Sequence, residues 1–548
     1  MPSLACLQAI RTEEIAMSES PKKQSFLHGT ALLAMATAIV KVIGALYKIP
    51  LNAIIGEQGF GYYSTAYEIY TLLLMISTAG LPVAMSRLIA QASSLEHYRR
   101  VRKIYVTART IFLTLGLIGA LLMTLFCKQL AQFQEQPDAW AAIGALGPCC
   151  FLICLMSTYR GFFQGQGNML PTSVSQVIEA ITKLVVGIAG ALLVIFYTKN
   201  VSLAAGAAIL GVTVSCLVSS CFLNICFRKA YKQMPQSDEE VSSGKDIAKG
   251  LLSIAIPITI GSAGLQLLTV LETKIYMTQL LKTLTQDTAD VQKGIYSMAL
   301  TIFNMPCAFI TPITISIIPA ITSQLTLGNH AGAKATEESA ARVSALISMP
   351  CAFGLALLAE PVTRLLGGYS GEKLVLATQL MSVLGVCIIF NSMVLLTTAI
   401  MQAHGHEKLP VVNMFVGGFV KLGAVFILTG YPVIGIVGTP IGSLLCYLCI
   451  TILNLFTMRR VLKDPPAIVK QMMRAFLAAA LMGACAWGTW QGLRYLFGAD
   501  FSRLLSCALP IGVGVIVYAF AAVKFRAITK EDCLLLPKGE KIANLLHL

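Results

Sequence analysis

The chain alternates long apolar runs with short polar segments along almost its whole length. A membrane-spanning α-helix needs about 20 mostly apolar residues. About fourteen runs of this kind cover residues 27–48, 62–92, 104–126, 139–159, 172–197, 202–227, 250–280, 294–322, 340–358, 373–400, 409–428, 433–457, 471–493 and 504–524. The pattern predicts an all-α polytopic membrane protein with both termini on the same side.

The first run, Gly29–Gly56, contains a cation within its apolar stretch. Lys41 has apolar residues on both sides, and an ammonium near the bilayer centre costs roughly 2.5–3.5 kcal/mol on insertion scales. Lys41, Gly44 and Lys48 share one helical face because they follow i, i+3, i+7 spacing. We expect this face to line a water-filled cavity that receives an anionic group. The alternative is that both lysines snorkel to the headgroups.

The basic residues outside the spans are distributed unevenly between the predicted loops. The N-terminus, the even-numbered loops and the C-terminus hold 26 Lys and Arg, whereas the odd-numbered loops hold nine, Lys293 among them. Cytoplasmic loops carry the excess of Lys and Arg. We therefore predict a multi-pass protein of the cell membrane with both termini in the cytoplasm. Most of the net charge of +15 reflects this topology, and we expect no nucleic-acid partner.

Composition and motifs argue against an enzyme. The chain is 56% apolar and only 12% charged, and its 16 cysteines lie mostly inside apolar runs without zinc-like spacing against His. Neither GxxxxGK[ST] nor HExxH occurs. We predict no catalytic residues, no metal site and no cofactor. Any energy input must then come from a separate ATPase, a sodium or proton gradient, or the membrane potential.

The two halves of the chain resemble each other. Residues 61–70, GYYSTAYEIY, and residues 294–303, GIYSMALTIF, are identical at five of ten positions. The series Gln164, Gly167, Pro171, Lys183 recurs as Gln402, Gly405, Pro410, Lys421. Because six spans per half preserve the orientation, we predict a parallel repeat. Its lobes are residues 27–227 and 250–458, with a cytoplasmic loop at 228–249, two further helices within 459–526, and cytoplasmic tails at 1–26 and 527–548. Met17 looks like a more natural start than Met1, and no cleavable signal peptide is evident.

Charged residues within or at the edge of the spans are biased towards positive. The cations are Lys41, Arg87, Arg109, Lys183, Lys274 and Lys421, and the acids are Glu68, Glu179 and Glu272. Glu179 and Lys183 are i, i+4 and therefore neighbours on one face. Glu272 and Lys274 face differently, so we expect them to pair with other helices or to line the cavity. Pro82 predicts a kink in span 2.

Three stretches resemble a known family. Residues 160–187, RGFFQGQGNMLPTSVSQVIEAITKLVVG, resemble the fifth-helix signature of polysaccharide and lipid-linked-oligosaccharide exporters. AIVKVIGALYKIPLNAIIGEQGFGYYSTAYEIY and STAGLPVAMSRLIAQ resemble the stage V sporulation protein B and MurJ-like branch. The superfamily, MOP, also contains the MATE drug exporters.

The resemblance implies two six-helix lobes around a V-shaped cavity, with two extra helices lining a groove for a lipid tail. It implies flipping of an undecaprenyl-pyrophosphate-linked saccharide, such as lipid II, to the outer leaflet. We expect membrane lipids as further partners, and cell-wall synthesis proteins as possible ones. In MurJ-like proteins, basic residues of the first, second and eighth helices serve the substrate. Lys41 and Lys48 match the first-helix positions, Arg87 matches the second loosely, and span 8 contains no basic residue.

Three functions follow, and they differ in the charge that they require. A flippase needs cations to bind pyrophosphate, for which the candidates are Lys41, Lys48, Arg87, Lys183 and Lys421. A coupling or charge-pairing role falls to Glu68, Glu179, Glu272 and Lys274. A MATE-like exporter of cationic drugs requires acids to dominate the cavity. A scaffold for wall or spore synthesis requires no charges inside the spans.

Overall fold

The computed structural model describes residues 21–235, 243–498 and 502–527. Nearly all of them are helical. In the first half of the chain the helices are α1 (Pro21–Thr78), α2 (Leu81–Ser94), α3 (Tyr98–Leu125), α4 (Cys127–Phe133), α5 (Trp140–Gly165), α6 (Leu170–Thr198) and α7 (Val201–Gln233). They are followed by α8 (Gly244–Leu280), α9 (Gln286–Thr326), α10 (His330–Leu357), α11 (Ala359–Leu366), α12 (Gly371–Ala403), α13 (Lys408–Thr429), α14 (Gly438–Val461), α15 (Ile468–Phe497) and α16 (Arg503–Lys524).

Long apolar runs become helices because a backbone in lipid must satisfy its own hydrogen bonds. Thirteen helical segments of the described residues are long and apolar enough to cross a membrane. The first of them, Leu46–Ser94, takes in parts of both α1 and α2. The all-α multi-pass fold is therefore confirmed, whereas the count of fourteen spans and the domain boundaries stay predictions.

The connection predicted between the first two spans is helical. Residues 49–61 belong to α1, which bends at Gly56, the residue that leaves the helical region with φ of 69°. The second predicted span is instead interrupted after Thr78, and Pro82 lies in the first turn of α2. A Cβ on Gly80 would lie 2.1 Å from the carbonyl oxygen of Ala255 in α8. The predicted kink thus coincides with a close approach between two helices.

The repeat predicted from Gly167 and Gly405 has the same local geometry at both places. The two glycines follow the ends of α5 and α12 with φ of 76° and 80°. In each case the next residue closes the helix end, since Asn168 N donates to Phe163 O and His406 N donates to Met401 O, both at 2.9 Å. A glycine suits this left-handed position because it has no Cβ.

The two halves meet along α1 and α9. We call residues 21–235 the N-half and residues 243–461 the C-half. Gly61 and Gly294, which the repeat equates, lie in direct contact, since a Cβ on Gly61 would lie 3.4 Å from Gly294 N. A Cβ on Gly294 would overlap the carbonyl oxygen of Glu57. Glycine at both positions therefore lets the two backbones approach closely. Beyond the C-half, α15 packs on α10, and α16 packs on α15.

Candidate functional site

A cavity of about 390 Å³ lies between α1 of the N-half and α9 of the C-half. Gly44 and Lys48 line it from α1, and six residues line it from α9. The predicted face of α1 therefore does border a cavity at these two positions. The side chain of Lys41 lies outside the described residues, so its placement on this face stays a prediction.

Lys183 of α6 lies near Lys48 but is stabilised by aromatic rings. Its Nζ atom lies 4.7 Å from the ring centroid of Tyr67 and 5.4 Å from that of Tyr47. Tyr47 directly precedes Lys48 in α1, so Lys183 lies over the ring of the residue next to Lys48. Neither forms an ion pair with a carboxylate of the described residues. These two lysines are the cationic part of the candidate site.

Glu179 does not pair with Lys183 as their spacing suggested. Its Oε2 atom accepts a hydrogen bond from Arg160 of α5 at 3.0 Å. Arg160 also donates to the Ser175 hydroxyl at 3.1 Å. The sequence places Glu179 and Lys183 on the same side of one helix, but Arg160 of the neighbouring helix binds the carboxylate through one of its N–H groups. Glu179 therefore neutralises Arg160 and leaves Lys183 positive.

Lys421 of α13, the repeat equivalent of Lys183, is neutralised directly. Its Nζ atom lies 2.6 Å from Glu272 Oε2 of α8, and Glu272 is 4% exposed. Lys274, two residues after Glu272, lies 2.5 Å from Glu135 Oε1 of the N-half. Glu272 thus pairs with another helix, whereas Lys274 pairs with Glu135 in the turn that follows α4. Lys421 was expected to bind substrate, but its charge is already balanced.

Glu68 pairs with a lysine that the sequence analysis assigned to a loop. Lys293 is fully buried and lies 3.3 Å from Glu68 Oε2. The Thr273 hydroxyl donates to the same oxygen at 2.7 Å. The loop assignment was wrong because α9 begins at Gln286, eight residues before the predicted span. Lys293 therefore lies on the helix, facing the other half of the molecule.

Asp290 is a second buried group that hydropathy did not identify. It is fully buried on α9 and accepts hydrogen bonds from Tyr62 at 3.1 Å, Gln136 at 2.8 Å and Gln286 at 3.1 Å. Tyr62 and Gln136 belong to the N-half, so Asp290 joins the two halves. The only signal in the sequence was its i, i+3 spacing to Lys293, which places both on one side of the same helix.

Several polar contacts between the halves lie close together. Besides Asp290, they include Glu68 with Lys293, Lys274 with Glu135, Gln58 with Asp287 at 3.1 Å, and Lys373 with Glu57 at 3.0 Å. We call these residues the inter-half network. They cluster where α8 ends and α9 and α12 begin. The network therefore holds the two halves together at one end of the molecule.

Comparison with known proteins identifies the family. The family model described as "Polysaccharide biosynthesis protein" matches residues 26–325, more than half of the chain. The chain belongs to this family. Stage V sporulation protein B of Bacillus subtilis (strain 168) is 26% identical, over 94% of this chain and 98% of its own length. The lipid II flippase MurJ of the same organism is 25% identical, over 72% of this chain and 76% of its own length.

Solved structures agree with this assignment. A structure of the lipid II flippase MurJ in an inward closed conformation matches with a TM-score of 0.66 and 13% identity, over 90% of this chain and 99% of that chain. An inward-facing multidrug resistance MATE transporter of the MOP superfamily matches with a TM-score of 0.62 and 17% identity, over 77% of this chain and 98% of that chain. The predicted fold class and family resemblance are confirmed. The chain therefore shares the fold of these membrane transporters.

Two positions of the family pattern are placed differently from expectation. The eighth predicted span, residues 294–322, contains no basic residue. The helix that includes it, α9, begins earlier and carries Lys293 within its second turn. This lysine is bonded to Glu68 and does not line the cavity between α1 and α9. Arg87 lies on the exposed face of α2, opposite the buried Met85 and Ile89. It is also absent from the lining of that cavity, and its role stays a prediction.

Proposed function

We propose that this family member is a flippase that moves a polyprenyl-pyrophosphate-linked saccharide, lipid II or a related wall precursor, from the inner to the outer leaflet. The observation that carries the proposal is the pair Lys48 and Lys183. Lys48 lines the cavity, Lys183 lies over the ring of the adjacent Tyr47, and no ion pair of the described residues joins either lysine to a carboxylate. Lys274, Lys293 and Lys421 are all neutralised. The positive charge of the interior is thus concentrated in the N-half beside the cavity.

Phosphate chemistry fits this arrangement. A lysine ammonium binds phosphate as a point charge, and the interaction strengthens where water is partly excluded. A cationic drug would instead be repelled by the same two lysines. A structural scaffold would need no unpaired cations next to a cavity between helices. The name of the relative that is a lipid II flippase supports the same class of substrate.

The inter-half network supports the part of the proposal that concerns transport across the membrane. With both termini in the cytoplasm, as the distribution of Lys and Arg predicts, the ends of α8 and the starts of α9 and α12 face outward. The network then closes the outer end in this conformation. Release of the headgroup outward requires these contacts to separate while others form at the inner end. Glu68, Glu135, Glu179, Glu272 and Lys274 are charge-pairing residues in this conformation, and a sodium or proton gradient or the membrane potential drives the exchange.

The test is complementation of cells depleted of their own lipid II flippase. Lys48→Ala should abolish or strongly reduce rescue at unchanged protein level. Loss of one charge-assisted contact costs about 1.5–3 kcal/mol, or roughly 10- to 150-fold in affinity. Lys48→Arg should retain partial rescue. Lys229→Ala, which removes an exposed lysine near the end of α7, is the matched control and should rescue fully. Rescue by Lys48→Ala equal to wild type would overturn the proposal.

A further inference from the structure

The two walls of the cavity differ in chemistry. The α1 wall offers a cation, Lys48, and Gly44, where a Cβ would meet no atom of a described residue within 4 Å. The α9 wall offers Thr301, Asn304 and Thr311, which carry no charge. These three follow i, i+3, i+10 spacing, and therefore share one helical face. A ligand in the cavity thus meets a positive surface on one side and neutral polar groups on the other.

The polar groups of the α9 wall are not equally free to bind. The Thr301 hydroxyl donates to Ser297 O at 3.0 Å, and the Thr311 hydroxyl donates to Cys307 O at 2.9 Å. Thr301 is also buried. Both hydroxyl protons are therefore used within the helix. Asn304 is exposed in the cavity, so its carboxamide presents two donor protons and one acceptor oxygen to a ligand.

We propose that Asn304 is a specificity-determining residue that binds the saccharide of the lipid-linked substrate, while Lys48 binds its diphosphate. This inference rests on the proposed function and adds a division of labour within the same cavity. A carboxamide suits sugar hydroxyl and acetamido groups because both it and they donate and accept hydrogen bonds. It carries no charge with which to attract or repel the diphosphate. A site that is built to hydrogen-bond a ligand discriminates against a ligand that lacks the matching group.

The experiment compares two probes on the purified full-length protein in lipid nanodiscs. One probe is undecaprenyl diphosphate, which has no sugar, and the other is lipid II. Wild type should bind lipid II more tightly. Asn304→Ala and Asn304→Leu, the latter of nearly the same shape, should reduce this preference by roughly 3- to 10-fold, the value of a neutral hydrogen bond. Lys48→Ala should weaken both probes by the same factor and leave the preference unchanged.

The matched control is Ser323→Ala, which should change neither affinity. Ser323 is exposed near the end of α9 and does not line the cavity. If both Asn304 variants keep the wild-type preference, or lose affinity for the two probes equally, the assignment of Asn304 is overturned while the flippase proposal stands. If wild type binds neither probe, or Lys48→Ala leaves both affinities unchanged, the proposed function fails first.

Discussion

Lys183 and Lys421 occupy equivalent places in the two halves and are stabilised in opposite ways. Lys421 is bonded to the carboxylate of Glu272 at 2.6 Å. Lys183 lies instead over the rings of Tyr67 and Tyr47, which attract a cation but leave its charge in place. One half therefore keeps a positive charge near the cavity, and the other does not. The comparison shows that a repeated sequence position does not imply a repeated electrostatic role.

The largest expected effect on stability comes from breaking the ion pair between Lys421 and Glu272. Lys421→Met leaves the buried Glu272 carboxylate without its partner, which costs about 3–5 kcal/mol in such cases. We expect a marked fall in the thermal unfolding temperature of the purified protein. Lys421→Met combined with Glu272→Leu should recover most of it, because a buried pair can be replaced by apolar groups at little cost. A comparable loss in Lys183→Met would contradict the difference between the halves.

The next effect concerns Glu68, a carboxylate of the inter-half network. Glu68 lies on α1, as Lys48 does, and is bonded to Lys293 across the halves. Lys293→Met should cost about 3 kcal/mol in unfolding free energy and free Glu68 to neutralise the cavity, which lowers affinity for undecaprenyl diphosphate. Adding Glu68→Gln should restore that affinity. If the double variant binds no better than Lys293→Met alone, Glu68 does not act on the site.

A third prediction concerns function alone. Lys183→Ala should weaken binding of undecaprenyl diphosphate by roughly 10-fold or more, the loss of a contact of about 1.5 kcal/mol or more to a charged group. The double variant Lys421→Met with Glu272→Leu removes both charges of the C-half pair and should leave that affinity near the wild-type value. Equal losses from the two changes, measured on the same preparation, would show that both halves contribute cations to the ligand.

The smallest effect tests the aromatic setting of Lys183. Tyr67→Leu removes the ring that lies closest to its ammonium. A cation–π contact contributes about 0.5–2 kcal/mol, depending on how far it is desolvated, so we expect a fall of that size in unfolding free energy. Tyr67→Phe keeps the ring and serves as the control. A Tyr67→Phe variant as unstable as Tyr67→Leu would assign the effect to the hydroxyl.

The sequence was most informative where one residue type dominates a long run. The helices could be predicted because they depend on the length of the apolar runs. The repeated turns at Gly167 and Gly405 could be predicted because each depends on a glycine in the left-handed conformation, which is also a local property. Lys293 and Asp290 could not, because the first turns of α9 are polar and resemble a loop. Only the packing of α9 against the N-half buries them.

By itself, the sequence determined that the chain is helical and spans a membrane many times, because the polar backbone of an apolar segment in lipid must satisfy its hydrogen bonds within the helix. The sequence also determined that the spans carry more cations than acids. The tertiary structure alone decided which charges cancel. Glu179 faces Arg160, Glu272 faces Lys421, and Lys183 faces aromatic rings. The reason is physical: a charge is compensated by the group nearest in space, and in a helical bundle that group comes from another helix, far away in the sequence.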